Sequence, residues 1–336
     1  MSTAIQKPDP SEKRVRAWLN DYYALGGQLS PLPGERDLNF QLNNDDGRTF
    51  VCKITAASED LAMLEAQHAA LARLQTRSFP AIPRVLTTPD GASLVPLHPG
   101  PEAPVGRVLT YVPGTTLTKC APYPPALLRD LGRTLGRFDK ALMDFDHPAL
   151  HYSFDWDLVH AGEVVTRYRE LVTDASLREG IDRIHREFVD TVQPLLPELR
   201  KSVIHNDAND HNVLAEGRRI TGLIDFGDMV HSCTVCDPAI AMAYAALGSD
   251  DLSEMMREMT LGYHEALPLE ETELRVLFPM VRMRLAVSAC MAAHQMRLRP
   301  DDPYLAISQQ AIRRTLPKLL ALDAGEVHQW LVKSLK

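Results

Sequence analysis

In the first part of the chain, the spacing of hydrophobic and polar residues changes from a helical period to a period of two. In "SEKRVRAWLNDYYAL" the apolar residues Val15, Trp18, Leu19 and Tyr22 recur at helical spacing behind Ser11, which suits a helix N-cap. The following segment, "LSPLPGERDLNFQLNNDDGRTFVCKI", instead alternates with a period of two around the turn "NNDDG". The sequence therefore predicts an amphipathic helix and then a β-hairpin.

The rest of the chain changes from mixed to mainly helical patterning. "SEDLAMLEAQHAALARL" predicts a helix capped by Ser58, and "ASLVPL" and "RVLTYV" are strand candidates. The predicted buried stripe of that helix comprises Leu61, Leu64, Leu71 and Leu74. Helical patterns dominate later, interrupted by the strand-like "KSVIHND" and "ITGLIDFGD". This organisation predicts an α+β protein with a small β-rich part, residues 1–112, and a larger α-rich part, residues 113–336.

Composition narrows the class of protein and its partners. The 336 residues are 45% hydrophobic and 24% charged, as in ordinary globular proteins, and the net charge of −8 disfavours nucleic-acid binding. The apolar runs "PAIAMAYAALG" and "LAVSACMAA" are shorter than the roughly 18 residues of a membrane span, and the start of the chain lacks a signal-peptide pattern. Five scattered cysteines fit a reducing compartment. We expect a cytoplasmic protein with small-molecule partners and no membrane association.

Polar chemistry is concentrated in "VIHNDANDHNVL", residues 203–214. Asp207 and Asn212 follow one predicted strand, and a second strand ends 13 residues later at Asp225. Carboxylate and amide oxygens that meet at one edge can share a Mg²⁺ ion, while Asp207 accepts a proton from a hydroxyl group. That division of labour is typical of phosphoryl transfer. The alternative is a pair of strand-end turns in which Asp and Asn only cap the local backbone.

The motifs "HNDANDHNVL", "GLIDFGDMVHS" and "CDPAIAMAY" resemble those of the aminoglycoside phosphotransferase-like small-molecule kinases, and most of all the hydroxylysine kinase branch. The resemblance runs from the hairpin to about residue 316. It implies a bilobal, protein-kinase-like fold, with a nucleotide-binding lobe at 1–112 and a catalytic and substrate-binding lobe at 113–336. It also implies ATP or GTP as phosphate donor and Mg²⁺ as cofactor.

The resemblance assigns roles to residues that match the family motifs. Asp207 matches the catalytic base, and Asn212 and Asp225 match the magnesium ligands. His205 is similar to the histidine that braces the catalytic loop. Lys53, in "FVCKI", occupies the position of the phosphate-binding lysine.

Two further residues are candidates for nucleotide binding. Glu65 lies four residues after Leu61 in the predicted helix, so we expect it to face inward and to pair with Lys53, because a lone buried carboxylate is costly. The alternative for Glu65 is a solvated charge on the helix flank. Tyr111, in "LTYVPG", is similar to the interlobe hinge whose backbone would hydrogen-bond an adenine.

The chain departs from the family pattern at three positions. The predicted phosphate-covering turn "LPGERDLNF" has one glycine, Gly34, where protein kinases carry several, and Asn206 stands where the family commonly has glycine. Asp228, in "DFGD", adds a carboxylate. It can bind a second Mg²⁺, bind a substrate amine or cap the turn.

Other residues suggest a substrate. Asp228, with Asp155 or Asp157 in "SFDWDL", favours a cationic acceptor that Trp156 would cover. Arg282, in "RMRL" with Arg284, is a candidate for holding a substrate carboxylate, against the alternative of a solvated helix face.

Two motifs outside the predicted site carry less chemistry. "CTVC", with Cys233 and Cys236, has redox spacing but no second pair to complete a zinc site. Asp237 precedes an apolar helix and is predicted to cap it or to brace the catalytic loop.

The sequence therefore predicts a Mg²⁺-dependent kinase that phosphorylates the hydroxyl group of an amino alcohol or hydroxy amino acid, similar to hydroxylysine. Only 11 residues separate Asp225 from Asp237, which leaves little room for a segment that docks a peptide. The alternatives are a Ser/Thr protein kinase of the same family and a nucleotide-binding regulator without turnover. Oligomeric state is left open.

Overall fold

The computed structural model describes residues 10–34, 36–77, 79–300 and 308–336. The chain forms two compact units, Met1–Thr76 with Ala81–Pro113, and Arg77–Pro80 with Gly114–Lys336. The first is built around a sheet and the second is mainly helical, which confirms the predicted α+β class. The long segment of the second unit begins at Gly114, whereas the sequence predicted a division after residue 112.

The first unit is an antiparallel sheet with two helices. Its strands pair in the order β1-β2-β3-β6-β4, and β5 also pairs with β6. The strands are β1 (Gly27–Leu32), β2 (Leu38–Asn44), β3 (Thr49–Thr55), β4 (Val85–Leu86), β5 (Val95–Pro96) and β6 (Val105–Thr110). The helices are α1 (Glu12–Tyr23) and α2 (Leu61–Gln75). The predicted β2–β3 hairpin is confirmed, whereas β1 was not predicted.

Helix α1 closes one face of this sheet. The Ser11 side chain accepts a hydrogen bond from the backbone of Arg14, as predicted for an N-cap, and Trp18 is buried in the core. A Cβ atom on Gly106 would lie 2.4 Å from the Trp18 ring. Gly106 therefore allows the indole to pack directly on the backbone of β6.

The turn between β1 and β2 is held by side chains. Arg107 donates to Asp37 and to Thr55, at 2.9 Å each, and Asn39 donates to the Pro33 carbonyl at 3.0 Å. These contacts tie both ends of the turn to the sheet.

Helix α2 begins later than predicted. Asp60, not Ser58, is its N-cap, and the Asp60 side chain accepts from the Ala62 backbone at 2.9 Å. Leu61 is 44% exposed, so its predicted place on the buried stripe is wrong. The first helical turn therefore presents that face to solvent, while Leu64, Leu71 and Leu74 are buried as predicted.

The second unit is a helical body with two small sheets. Strand β7 (Thr115–Thr116) pairs with β9 (Val213–Glu216), β9 pairs with β10 (Arg219–Leu223), and β8 (Lys201–Ile204) pairs with β11 (Val230–Cys233). The first helices are α3 (Pro125–Leu142), α4 (Ala161–Tyr168) and α5 (Ala175–Glu187). The later ones are α6 (Cys236–Leu247), α7 (Leu252–Ala266), α8 (Glu271–Leu298), α9 (Gln309–Leu320) and α10 (Ala324–Ser334).

Glycines allow α3 and α7 to cross closely. A Cβ atom on Gly132 would lie 2.0 Å from the Met259 carbonyl oxygen, and one on Gly262 would lie 1.9 Å from that of Arg129. Backbone atoms cannot give way as a flexible side chain can. Each helix therefore needs glycine where it meets the other.

Helix α8 is the central element of this unit and packs against α4, α5, α6, α9 and α10. By length and composition alone its 28 residues are sufficient to cross a membrane, whereas the apolar runs in the sequence predict no membrane span. However, 94% of its most apolar 18-residue stretch is buried inside the protein. Packing in the helical body thus accounts for the apolar character of α8.

Candidate active site

Residues 205–212 of the motif form the loop between β8 and β9. His205 lies at its start and is fully buried. Its Nε2 donates to the Ile224 carbonyl at 3.1 Å, and its Nδ1 accepts from the Asp207 backbone at 3.2 Å. Burial lowers the pKa of His205, so the imidazole is neutral and one tautomer makes both bonds. These bonds give His205 the bracing role expected from the sequence.

Asp237, the second residue of α6, also holds this loop in place. The Asp237 carboxylate accepts from the backbone of His205 at 3.2 Å and of Asn206 at 2.8 Å. Asn206 has φ 63°, in the left-handed region that favours glycine and that asparagine tolerates better than most residues. The departure from the family glycine therefore leaves the loop conformation intact, and the predicted bracing role of Asp237 is confirmed.

The Asp207 carboxylate is fixed by amides of its own loop. Asn209 Nδ2 donates to Oδ1 at 2.9 Å, and Asn212 Nδ2 donates to Oδ2 at 2.7 Å and to the Asp207 carbonyl at 2.9 Å. The side chain is still 23% exposed. A carboxylate held in this way has a defined orientation and keeps a lone pair for an incoming hydroxyl group.

The second acidic turn lies beside this loop. The Ile224 N–H donates to the Asn212 carbonyl at 2.9 Å, which places the next residue, Asp225, alongside Asn212. Asp225 has φ 60°, is exposed and begins the helical turn Phe226–Asp228. The structure thus brings Asp207, Asn212, Asp225 and Asp228 together.

Negative charge dominates this cluster. Burial, and next the charge of Asp228, raise the pKa of Asp207 to about 8, and Asp225 acts in the same direction. The Arg284 guanidinium acts in the opposite direction. A site with this excess of carboxylate favours cations, both metal ions and amines.

The residues present fit a hard divalent cation. The Nδ2 atom of Asn212 is committed to Asp207, so the amide can offer its Oδ1 to a metal. Asp225 and Asp228 supply carboxylate oxygens. An all-oxygen donor set of this kind is the one Mg²⁺ prefers.

The first unit contains the predicted nucleotide-binding residues. Lys53 lies on β3, opposite Asn39 of β2 and Arg107 of β6. Glu65 is exposed, so its predicted inward orientation is wrong. The inference depended on its sharing a face with Leu61, and Leu61 is itself exposed.

Tyr111 follows β6. Its N–H donates to the Thr49 carbonyl at 3.1 Å, and the Thr110 N–H donates to the Arg84 carbonyl at 2.8 Å. Pro113 has no N–H. An N–H contact from this segment to an adenine would therefore come from Val112 or Gly114, while the Tyr111 carbonyl can still accept.

The substrate candidates separate into two groups. Trp156 is near the catalytic loop, because Arg284 bonds its carbonyl at 2.7 Å and also lies 3.5 Å from Asp207 Oδ1. Arg282 instead forms an ion pair with Glu187 and donates to the Leu322 carbonyl at 3.4 Å. The structure therefore places Arg282 away from the loop, and the alternative of a solvated helix face is also wrong, because Arg282 is buried. The two arginines lie on opposite sides of α8, and only Arg284 reaches Asp207.

The acidic residues around Trp156 also have other partners. Asp155 forms an ion pair with Arg167 at 3.2 Å. Asp157 is buried and accepts from Ser232 at 2.6 Å and from the Val159 backbone at 3.2 Å. Both are therefore structural, and Asp228 is the substrate-amine candidate that the structure places beside Asp207.

Fold and loop geometry together define a phosphotransferase of the kinase type. Hydroxylysine kinase from Mus musculus is 28% identical over 355 residues, covering 98% of this chain and 94% of its own length. The solved microcompartment-associated aminopropanol kinase matches with a TM-score of 0.71 at 17% identity, covering 96% of this chain and 99% of that one. Amicoumacin kinase hAmiN, in complex with AMP-PNP, Ca²⁺ and Ami, also matches with a TM-score of 0.71, at 14% identity and with 95% and 97% covered.

The model of the phosphotransferase enzyme family matches residues 28–275, and the chain belongs to that family. It is a kinase that transfers a phosphoryl group from a nucleotide to a hydroxyl group of a small molecule. The resemblance found in the sequence is thereby confirmed.

Proposed function

We propose that this kinase transfers the γ-phosphate of ATP or GTP to the hydroxyl group of an amine-bearing acceptor, a hydroxy amino acid or amino alcohol similar to hydroxylysine. The observation that carries the proposal is the Asp207 carboxylate, oriented by Asn209 and Asn212 beside two further carboxylates. The relation to hydroxylysine kinases over nearly the whole chain supports this acceptor class.

In the proposed reaction, Asp207 accepts the proton of the acceptor hydroxyl as its oxygen attacks the γ-phosphorus in line with the leaving diphosphate. Asn212 and Asp225 would hold Mg²⁺. The bound ion would offset charge on the phosphates. Lys53 would bind the phosphates from the first unit, and the segment at Tyr111 would bind the base.

Asp228 is the proposed partner of the acceptor amine. Its carboxylate is close enough to Asp207 to be the second-largest cause of the raised pKa there. An acceptor ammonium group next to Asp228 would relieve this repulsion. It would also favour the ionised form of Asp207, which is the form that acts as a base.

The acceptor is tested by a coupled nucleotide-consumption screen. Hydroxylysine, homoserine, choline and ethanolamine would each be tested with ATP and with GTP. We expect turnover with at least one amine-bearing alcohol and none with a protein substrate such as casein. Nucleotide binding without any turnover would instead support a regulator.

The base is tested by Asp207→Ala. We expect kcat to fall by about 10²- to 10⁴-fold, the usual contribution of a general base, with the nucleotide Kd unchanged. Unaltered turnover would contradict the assignment.

The metal ligand is tested by Asp225→Ala. We expect it to remove the magnesium dependence of nucleotide binding in calorimetry. Binding that still strengthens with Mg²⁺ to the same extent would contradict that role.

The cytoplasmic location is also a proposal. All five cysteines are free thiols in the structure, which is consistent with a reducing compartment. Fractionation of cells that express the protein would test it.

A further inference from the structure

Arg284 is almost completely buried next to the catalytic loop. It lies in the interior of α8, and its side chain is 1% exposed. Its guanidinium lies between two aromatic rings, 4.9 Å from the centroid of Trp156 and 5.7 Å from that of Tyr244. A buried cation is costly unless an anion compensates for it.

Asp207 is the acidic group beside this cation. Arg284 Nη2 lies 3.5 Å from Asp207 Oδ1, and within the described residues this is the carboxylate at ion-pair distance. Nη1 is fixed separately, by a 2.7 Å bond to the Trp156 carbonyl. One planar guanidinium therefore connects the base, the segment around Trp156 and helix α8.

Arg284 differs in kind from the other groups that hold Asp207. Asn209 and Asn212 belong to the same loop as Asp207, so they fix the carboxylate within the loop but move with it. Arg284 comes from a helix 77 residues further along the chain. It thus ties the carboxylate itself to helix α8 and to the Trp156 segment.

We propose that Arg284 is a positioning residue, which holds the Asp207 carboxylate against the Trp156 segment so that both meet the acceptor in a fixed geometry. The inference rests on the proposed function, since it takes Asp207 as the base. It predicts that changes at Arg284 lower kcat and raise the acceptor KM together, while the nucleotide Kd stays the same. A residue needed only for folding would change none of these in the folded protein.

Arg282 provides a matched control. It is two residues away on the same helix, 4% exposed, and it too forms an ion pair and lies over an aromatic ring, that of Phe278. Its partners, Glu187 and the Leu322 carbonyl, are not part of the catalytic loop. Substitution of Arg282 should therefore cost similar stability without changing the turnover of the folded enzyme.

The decisive comparison is Arg284→Lys against Arg282→Lys. Lysine keeps the charge but lacks the planar fork, so it cannot bond Trp156 and Asp207 at once. With the acceptor that the wild type turns over best, we expect Arg284→Lys to lower kcat by about 10- to 100-fold, as for a misplaced catalytic group, and Arg282→Lys to stay within twofold. Equal kcat values for the two variants would overturn the inference.

Chemical rescue separates positioning from folding. Arg284→Ala leaves a space beside Asp207. Added guanidinium, kept well below denaturing concentrations, should raise the kcat of this variant at least tenfold, because fork geometry and charge return together. It should not restore Asp207→Asn or Arg282→Ala. A folded Arg284→Ala that guanidinium does not rescue would also overturn the inference.

Two further measurements keep the outcomes distinct. Asp207→Asn is assayed in parallel: if it keeps full turnover, the proposed base is wrong, whereas if it is inactive and Arg284→Lys is not, only this inference fails. If no acceptor is turned over, or if Arg284→Ala does not fold, crystal structures of Arg284→Lys and Arg282→Lys test the inference instead. Displacement of the Asp207 carboxylate in Arg284→Lys alone is expected, and an unmoved carboxylate would refute the positioning role.

Discussion

Asp139 offers a sharp test of the charges beneath the catalytic loop. It is completely buried in α3, where it accepts from the Tyr263 hydroxyl and lies close to the carboxylate of Asp237. Burial, and next the charge of Asp237, raise the pKa of Asp139 well above its usual range. The carboxyl group is therefore neutral in the folded protein at pH values where it is ionised in the unfolded chain.

The sign of the resulting pH dependence follows from proton binding. Below the unfolded pKa of about 3.9 Asp139 is protonated in both states, and its contribution to stability is complete. As the pH rises toward the folded pKa, only the folded state keeps the proton. The wild type then loses about 1.4 kcal/mol of unfolding free energy for each pH unit of that window.

Asp139→Asn should remove this loss. The asparagine amide can donate to Asp237 and its oxygen can accept from Tyr263, so both neighbours stay satisfied without a titrating proton. We expect the stability of Asp139→Asn relative to the wild type to rise by about 1.4 kcal/mol per pH unit across the window. Because Asp237 still accepts from the loop backbone, kcat should be unchanged.

Urea denaturation over a series of pH values above the unfolded pKa measures this difference directly. Asp190→Asn, at an exposed carboxylate, is the control for the substitution itself. A difference between Asp139→Asn and the wild type that stays constant with pH would refute the inference that buried Asp139 is neutral in the folded state. So would a loss of stability that grows with pH.

Two further predictions concern backbone geometry. Gly132→Ala should lower the free energy of unfolding by about 3 kcal/mol or more, because its Cβ would lie 2.0 Å from the Met259 carbonyl oxygen. In Gly162→Ala, in α4, the new Cβ would lie 3.7 Å from its nearest packing neighbour, so the free energy of unfolding should rise by about 1 kcal/mol. Equal effects of the two substitutions in urea denaturation would contradict the close helix crossing. Asn206→Gly should raise the free energy of unfolding by about 1 kcal/mol. Glycine adopts the left-handed conformation without strain, and the substitution removes buried amide atoms that have no hydrogen-bond partner among the described residues. A fall in its melting temperature would show that the amide is satisfied in solution.

The catalytic loop was predictable because its geometry is local. Asp207 and Asn212 are five residues apart, and the same spacing that suggested a shared site lets the Asn212 amide reach the carboxylate. Asp225 required one further step, the expectation that two strand ends meet. The Ile224–Asn212 backbone bond provides that step.

The errors arose where orientation depends on the rest of the fold. Arg282 and Arg284 belong to a stretch of α8 that is buried on every side, so helical periodicity gives no polar face to choose between them. Glu65 was placed from a helix face defined by Leu61, and a start at Asp60 rather than Ser58 put that residue in an exposed first turn. A periodic pattern locates a buried face only when the helix has an exposed one and its first turn is assigned correctly.

The left-handed conformation of Asn206 links the contacts within the loop to the contacts that reach it from helices outside the motif. Asp237 binds two consecutive backbone N–H groups from α6, and the chain then reverses direction at φ 63°. A non-glycine residue at such an angle costs about 1 kcal/mol, and it persists only where its surroundings hold it there. The bend separates the roles of neighbouring residues, since His205 is directed into the core while Asp207 lies among Asn209, Asn212 and Arg284. The motif therefore specifies which side chain is the proposed base, whereas Asp237 and Arg284, from two helices outside the motif, contact the loop from the helical body.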